Sequence, residues 1–269
     1  MTDPSRVCCH YGEWVQGRLG AEGPVVLITL ACGAIGVTAQ VEASEVFGVT
    51  GNAKLSDQTA NKFLSALNVP LPKLRITLSS DVTPGVGAGV STASLLALAR
   101  VLGIDATPQG LAQAALSVEG AVDPLMFDAP DCLLWASRRA QVVKPVEAPP
   151  AFEVVGGLFG PPIRTEPGDG SFPDVSDLVG AWDASTGSRE DLGRLASEAA
   201  RRTTAMRGPS DDPTEAIADE LGAIGHVRAH TGSARGVLFR PGTVPERAKT
   251  VCRAAGLKDV FTFTTGGAS

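Results

Sequence analysis

A glycine-rich run at residues 84–94 contains the side chains and backbone groups most suited to chemistry. Three glycines within five residues leave backbone N–H groups uncovered, and Ser91 and Thr92 follow where a helix is predicted to begin. The start of a helix presents unpaired N–H donors and a partial positive charge, which together favour a bound phosphate. Hydroxyls at that point can cap the helix or ligate a phosphate-bound Mg²⁺. The run therefore predicts a phosphate site, and the alternative is a turn with an ordinary Ser/Thr cap.

The spacing of these glycines matches neither of two established phosphate loops. The chain contains no G-x-x-x-x-G-K-[ST] sequence, and the three glycines do not form G-x-G-x-x-G. An acidic chain must bind phosphate locally, with backbone dipoles, a few cationic side chains and a metal ion. The residues predicted to bind the phosphates are Pro84, Gly85, Gly87, Ala88, Gly89, Val90, Ser91, Thr92 and Ala93.

Strands and helices are predicted in mixed order around this run. A strand at 73–80 comes directly before it, and a helix rich in small residues at 92–103 directly after it. The other predicted strands are 24–32 and 34–41 (joined at Gly33), 131–136, 139–146, 152–156, 237–239 and 259–264. The other predicted helices are 59–67, 107–121, 188–206, 213–224 and 244–255, with loop at 160–175. The mixed order predicts an α+β fold, and the proline-containing run 146–150 predicts a boundary between two lobes.

Composition limits the class of protein. The 269 residues are 43% hydrophobic and 19% charged, which is typical of a globular protein in water, and the formal net charge is −6. That charge argues against a general nucleic-acid binder, which needs a basic face. The five cysteines form no C-x-x-C pair, the first residues show no signal core, and no apolar run is long enough to span a membrane. We therefore expect a cytoplasmic protein with free thiols, and neither nucleic acid nor membrane as a partner.

Two further motifs of small residues lie on either side of the glycine-rich run. The first is Y-G-E-W-V-Q-G at residues 11–17, and the second is A-H-T-G-S-A-R-G-V-L-F at residues 229–239. The central run keeps a proline and places S-T-A-S where the GHMP kinase superfamily (galactokinase, homoserine kinase, mevalonate kinase and relatives) has S-S-A-A. That family has an N-terminal substrate motif, a central P-x-x-x-G-L-G-S-S-A-A phosphate loop and a C-terminal glycine-rich turn. The chain resembles it over residues 11–239.

Three segments are most similar to the L-threonine kinases of cobalamin biosynthesis within that superfamily. Their C-G-E-L-V-Q-G start resembles residues 11–17, their E-P-T-D-S-L segment resembles E-G-A-V-D-P-L at 119–125, and their S-H-S-G-T turn resembles A-H-T-G-S at 229–233. The resemblance implies a two-lobed GHMP kinase fold, with a ribosomal-protein-S5-like lobe at 1–148 and a ferredoxin-like lobe at 149–269. It implies that ATP, with Mg²⁺, phosphorylates the hydroxyl group of a small, amino acid-like substrate, with L-threonine as the leading case. A homodimer is left open.

The resemblance also implies roles for individual residues. Asp123 is expected to accept the hydroxyl proton or to orient the substrate, and Thr92 to act with it in catalysis. The expected Mg²⁺ ligands are Ser91, Thr92 and Glu119. The expected substrate-binding residues are Glu13, Gln16, His230, Thr231, Gly232 and Ser233. His10 is interpreted as a packed or surface histidine.

Departures from the family pattern keep alternatives open. The G-L-G core is absent and Glu119 lies one residue further from Asp123, which leaves open a relative that binds nucleotide without catalysis. Arg164 stands where threonine kinases have the acid of a V-D-T-like segment. An arginine there favours an acceptor with an extra carboxylate or phosphate. A GHMP kinase for another amino acid or an amino alcohol is therefore the main enzymatic alternative.

Overall fold

Ten strands and seven helices build residues 5–266, the part of the chain that the computed structural model describes. The strands are β1 (Ser5–Arg18), β2 (Val25–Ala43), β3 (Gly48–Thr50), β4 (Leu74–Ser80), β5 (Leu133–Ala136), β6 (Gln141–Pro145), β7 (Glu153–Leu158), β8 (Gly225–Arg228), β9 (Ala234–Phe239) and β10 (Lys258–Thr264). The helices are α1 (Asp57–Ala66), α2 (Val90–Val101), α3 (Pro108–Glu119), α4 (Ser176–Ser185), α5 (Arg189–Arg207), α6 (Thr214–Leu221) and α7 (Ala248–Ala254). The fold is α+β, as predicted.

One sheet runs through both halves of the chain. Its order is β10-β7-β9-β8-β1-β2-β4-β3, and the β5–β6 hairpin joins β2 on one side. The strands before residue 150 lie on the β1 side of the β8–β1 boundary, including the hairpin, which pairs with β2. The strands after residue 150 lie on the other side. At this boundary β1 and β8 share a single antiparallel pair, Glu13 with Arg228. The lobes 1–148 and 149–269 stay a prediction, and this segregation of strands is in keeping with them.

The two predicted strands at 24–32 and 34–41 form one long strand, β2. Its pairing with β1 shifts around Gly33, because Cys9 lies opposite Cys32 while Cys8 lies opposite Gly36. An irregularity of this kind bends a strand without ending it. The prediction of a break at Gly33 was therefore wrong.

Strand β1 was not predicted from the sequence, although it carries the first motif. Nearly every residue from Val7 to Gly17 is buried, so the strand lacks the alternation of polar and apolar residues that marks a half-exposed strand. Strands β3 and β8 and helix α4 were also missed. The predicted loop at 160–175 contains no helix or strand. A bridge between Arg18 and Asp174, and hydrogen bonds from the Arg18 side chain to the Gly170 carbonyl oxygen, tie it to β1.

Helix α2 lies against β1 and β2 with almost every residue buried. Its small side chains allow this close approach, and its C-terminal turn ends before Gly103. The helix begins at Val90, two residues before the predicted start. Its first turn follows the glycine-rich run directly and is buried except for Ser91.

Aromatic side chains from both halves of the chain pack in one core. The ring of Trp14 on β1 lies 5.2 Å from that of Phe152 and 6.5 Å from that of Trp182, both from the C-terminal half. The Tyr11 hydroxyl donates a hydrogen bond of 2.8 Å to the carbonyl oxygen of Gly157. These contacts fix β1 with respect to β7 and α4.

None of the helices in residues 5–266 combines the length and the apolar character needed to cross a membrane. The five cysteines, all within these residues, are free thiols.

Candidate active site

The three glycine-rich motifs meet backbone to backbone. A Cβ added at Gly87 would collide with the Cβ of Ala229 and lie 2.5 Å from the Thr231 carbonyl oxygen. A Cβ added at Gly232 would lie 2.5 Å from the Gly87 nitrogen. The Gly12 N–H completes the contact by donating to the Gly87 carbonyl oxygen at 3.1 Å. Glycine is required at 87 and 232 because no side chain fits between these segments.

The run at 84–92, which we call the phosphate loop, is held by its carbonyl oxygens. The oxygens of Gly85, Val86, Gly87 and Ala88 accept hydrogen bonds of 2.8, 2.8, 3.1 and 3.3 Å from surrounding backbone N–H groups. The donors, in the same order, belong to Ile163, Ala234, Gly12 and His10. Four consecutive peptide carbonyls are thus directed into the protein by β1, β9 and the loop after β7.

The N–H groups of the phosphate loop make no hydrogen bonds to the described residues. Within residues 5–266, no backbone N–H from 85 to 92 has an acceptor, and the first N–H donated is that of Ala93 to Gly89. Gly89 is the N-cap of α2, has a left-handed backbone (φ 69°) and provides no side-chain cap. Capping by Ser91 or Thr92, the alternative to a phosphate role, is therefore not what their hydroxyls do. The helix start and the glycine turns present a concave row of donors suited to an anion.

A cleft of about 440 Å³ opens over this row. Most of the residues predicted to bind ATP, Mg²⁺ or the substrate, or to act in catalysis, line this cleft. They are Glu13, Gln16, Pro84, Gly85, Gly87, Ala88, Gly89, Val90, Ser91, Thr92, Glu119, Asp123 and Thr231. Four other predicted binding residues do not line the cleft. Ala93, His230, Gly232 and Ser233 are buried behind the residues that form its wall. The structure thus brings most of the predicted residues together and puts these four in supporting positions.

His10 lies at the centre of the charged part of the cleft. Its Nε2 is 3.4 Å from Asp123 Oδ2, its Nδ1 is 3.9 Å from Glu13 Oε1, and Nδ1 is also 3.1 Å from the Gly12 carbonyl oxygen. Burial alone would lower the pKa of His10, but the charge of Asp123 and that of Glu13 raise it to about 9. The ring is therefore a protonated imidazolium at neutral pH, donating from Nδ1 to the carbonyl of Gly12.

Glu13 is a buried carboxyl group with a raised pKa. Burial raises the pKa to about 7, although the positive charge of His10 opposes the shift. One of its oxygens accepts a hydrogen bond of 3.2 Å from the backbone N–H of His230. Glu13 therefore links the first and third motifs and lies at the pair that joins β1 to β8.

Thr92 and Asp123 are joined by hydrogen bonds. The Asp123 N–H donates to Thr92 Oγ1 at 3.2 Å, and the Thr92 hydroxyl lies 3.5 Å from Asp123 Oδ2. The Asp123 side chain is 25% exposed, whereas His10 is 3% exposed. Asp123 is thus fixed from one side by Thr92 and from another by His10, with part of its carboxylate open to the cleft.

His230 is a structural residue behind the cleft. Its ring stacks on Phe172 with centroids 3.8 Å apart and an interplanar angle of 3°. Burial and the nearby Arg207 lower the pKa of His230 to about 3, so the ring is neutral. Phe172 also lies below the guanidinium groups of Arg138 (4.9 Å) and Arg207 (5.6 Å). These contacts hold the loop at 160–175 along the cleft.

Two side chains of the cleft, Ser91 in the first turn of α2 and Glu119 at the end of α3, carry the kind of oxygen atom that binds Mg²⁺ together with phosphate. Ser91 and Glu119 line the same cleft, and neither side chain has a hydrogen-bond partner within the described residues. No cluster of three or more His, Cys, Asp or Glu side chains placed to hold a metal occurs in residues 5–266. A hydroxyl, one carboxylate and phosphate oxygens form the hard donor set that Mg²⁺ prefers when it is bound with a substrate.

Comparison by sequence finds no relative: no protein-family model matches the chain, and no curated protein matches it. Comparison by structure finds solved proteins with the same fold. Mevalonate kinase of L. major, in complex with R-mevalonate, aligns with a TM-score of 0.71 at 13% identity, over 100% of this chain and 97% of that one. The chain has the GHMP kinase fold.

Other GHMP kinases match over similar lengths. Homoserine kinase from Cytophaga hutchinsonii aligns with a TM-score of 0.66 at 15% identity, over 99% of this chain and 95% of that one. Phosphomevalonate kinase of Streptococcus pneumoniae, in complex with phosphomevalonate and AMPPNP, aligns with a TM-score of 0.66 at 9% identity, over 98% and 100%. At such identities the comparison shows the fold, and the activity has to be argued from the cleft.

Four charged or aromatic residues that line the cleft were missed or misjudged from the sequence. His10 was interpreted as a packed or surface residue, and its position directly before the first motif was the available signal. Lys54, Arg138 and Phe172 also line the cleft. They lie in connections between elements, where no motif marked them.

Proposed function

We propose that this protein is an ATP-dependent kinase that phosphorylates a hydroxyl group of a small molecule. The observation that carries the proposal is the row of N–H groups at 85–92, free of acceptors and beside a partly exposed carboxylate at Asp123. Donors for phosphate and an acceptor for a proton therefore share one cleft. The GHMP kinase fold of the chain supports this combination.

The phosphate loop binds the triphosphate of ATP. Its N–H groups and the positive end of α2 stabilise the charge on the phosphates without reorganisation, because the loop carbonyls already hold the peptide planes. Ser91 and Glu119 would hold Mg²⁺, with Thr92 beside them. When bound, this ion neutralises phosphate charge and orients the transferred group.

Asp123 accepts the proton of the acceptor hydroxyl as that oxygen attacks the terminal phosphorus. The open part of its carboxylate faces the cleft, and Thr92 and His10 fix the rest. The His10 ring, whose Nε2 lies 3.4 Å from Asp123 Oδ2, holds that carboxyl group in position. His10 is therefore a positioning residue, and Asp123 the catalytic one.

The proposed acceptor is L-threonine, which would give O-phospho-L-threonine for cobalamin side-chain synthesis. The similarity of residues 11–17, 119–125 and 229–233 to the L-threonine kinases supports it. In the structure, Glu13 and Gln16 from the first of these segments line the cleft beside Asp123. A carboxylate in that position suits the ammonium group of an amino acid. Another amino acid or an amino alcohol would use the same contacts.

The test is ADP release from Mg²⁺–ATP with L-threonine, L-serine, homoserine or no acceptor, with the product identified by mass spectrometry. Stimulation by L-threonine with formation of phosphothreonine is expected. Stimulation by another acceptor alone would keep the kinase and replace the substrate. Nucleotide binding without stimulation by any acceptor would instead favour a GHMP relative that binds nucleotide without catalysis. Absence of nucleotide binding would overturn the proposal.

A further inference from the structure

The phosphate loop lacks the positive charge that its proposed ligand requires. Residues 84–94 contain no lysine or arginine, while ATP places several negative charges over them. Backbone dipoles supply only partial charges. The cationic side chains that line the same cleft are His10, Lys54, Arg138 and Arg164.

Two of these cations already have other partners. His10 faces Asp123 and Glu13. Arg138 donates from Nε to the Pro167 carbonyl oxygen at 2.8 Å and from Nη2 to the Glu166 carbonyl oxygen at 3.0 Å. Both of these bonds hold the loop at 160–175 in place, so the Arg138 guanidinium is committed to that loop.

Arg164 is attached to the phosphate loop by its neighbours in sequence. The N–H of Ile163 donates to the Gly85 carbonyl oxygen at 2.8 Å. A Cβ added at Gly85 would lie 3.3 Å from Pro162 Cβ and 3.4 Å from the Ile163 nitrogen, so the two segments are in contact. The Arg164 side chain is exposed, lines the cleft, and has no hydrogen-bond or ion-pair partner among residues 5–266.

Lys54 lies in a different wall of the cleft. Its segment, residues 53–56, is bonded to β4 through the Ala53 N–H and the Leu78 carbonyl oxygen. No hydrogen bond within residues 5–266 joins that segment to the phosphate loop. Only Arg164 therefore combines an uncommitted charge with a direct backbone connection to the loop.

We propose that Arg164 binds the β- and γ-phosphates of ATP and stabilises the charge that develops during transfer. The inference rests on the proposed function and assigns Arg164 to the nucleotide, not to an acceptor carrying an extra carboxylate or phosphate. In the step, the bond from the terminal phosphorus to the β-phosphate oxygen breaks, and its electron pair leaves with ADP. The acceptor oxygen forms the new bond to phosphorus and its proton passes to Asp123. Arg164 donates hydrogen bonds throughout and keeps its own protons.

The first part of the test measures binding of ATP, ADP and AMP without acceptor, in the wild type, R164Q and R164K. We expect R164Q to weaken ATP binding about 10- to 100-fold, the range of a hydrogen bond to a charged group, to weaken ADP binding less, and to leave AMP binding unchanged. R164K should retain part of the ATP affinity, because lysine keeps the positive charge but cannot form the bidentate hydrogen bonds of arginine to phosphate. R139Q is the matched control, since Arg139 is exposed on the neighbouring β5–β6 turn and does not line this cleft. It should bind ATP as the wild type does.

The second part measures KM for the acceptor and kcat in the same variants. A normal affinity for ATP with a raised acceptor KM in R164Q would overturn the inference and return Arg164 to the acceptor. Equal weakening of ATP and AMP binding would also overturn it, because the arginine would then act through the shape of the loop. An R164Q variant that is indistinguishable from the wild type would do the same. If the wild type itself bound no nucleotide, the proposed function would fail, and the inference with it.

Discussion

The Nε2 atom of His10 lies 3.4 Å from an oxygen of the Asp123 carboxylate. His10 belongs to β1, while Asp123 follows α3 more than a hundred residues later, so the fold brings the two together. Because His10 is buried, only a few groups contact it, and of its two carboxyl partners Asp123 is more exposed than Glu13 (25% against 7%). This pair is the basis of the first prediction.

Replacing His10 with glutamine should lower kcat about 100-fold, the size of effect expected when a reacting group is misplaced, with little change in ATP affinity.

The pKa of His10, raised to about 9, also predicts a pH dependence. The stabilising contact is complete below pH 6.5 and is lost as the pH rises through about 9. In the wild type both kcat and thermal stability should therefore decrease across that upper range. H10Q should lack both decreases. If kcat of a folded H10Q protein decreased at alkaline pH as it does in the wild type, another group would have to titrate in that range.

Replacing Thr92 with valine should reduce kcat about 10- to 100-fold, because the Asp123 N–H loses its acceptor and the carboxylate loses its support. Valine keeps the shape of threonine, so packing is nearly preserved. Replacing Thr92 with serine keeps the hydroxyl and should retain most of the activity. Steady-state kinetics at several Mg²⁺ concentrations check both variants. Equal activity in T92V and T92S would rule out this role for the hydroxyl.

Replacing Gly89 with alanine should reduce activity and stability together. The residue has φ 69°, and the new Cβ would lie 2.5 Å from His10 Cδ2 and 3.0 Å from Leu125 Cδ1. Gly103, at the other end of α2, is the matched control, since it has φ 64° and open space around it. G103A should cost about 1 kcal/mol from backbone strain alone, with normal kinetics. G89A should cost more in chemical denaturation and should perturb kcat. Similar behaviour of the two variants would show that the contact with His10 is unimportant.

Replacing Phe172 with alanine should release the loop at 160–175. The variant loses the stack on His230 and two cation–π contacts, and about 3 kcal/mol of stability for a buried aromatic ring. Limited proteolysis should then cut within this loop faster than in the wild type. The control is F127A, because Phe127 packs on Trp135 and takes no part in the stack on His230 or in the two cation–π contacts. If both variants were cut at the same sites and rates, the ring would not be what holds the loop.

Glycines and hydroxyls at a strand-to-helix junction have a local physical meaning, so the sequence alone predicts a phosphate site at residues 84–94. The role of that site stays a prediction. The same local reasoning placed α2, α3 and the β5–β6 hairpin within a few residues of their observed ends. It could not predict β1, since burial on both faces removes the alternation that identifies a strand.

The centre of the cleft depends on contacts between distant parts of the chain, and these were not predictable. His10 becomes a charged partner only because α2 and the segment after α3 bring Asp123 to β1. Lys54, Arg138 and Phe172 enter the cleft from connections without regular structure, where side-chain direction is set by tertiary packing. Residues predicted to bind the substrate, such as His230, lie behind the wall of the cleft for the same reason.

The four carbonyl bonds of the phosphate loop have a consequence for how ligands come and go. Because these bonds already hold its peptide planes from the protein side, the loop should lose little further conformational freedom when an anion binds. Its entropy was lost when the chain folded, so capture of an anion should approach the rate of diffusional encounter, and release should depend on the ligand alone. If a nucleotide binds here, its exchange would need no gate at the phosphate loop, and any slow motion that limits the exchange would have to come from the loop at 160–175.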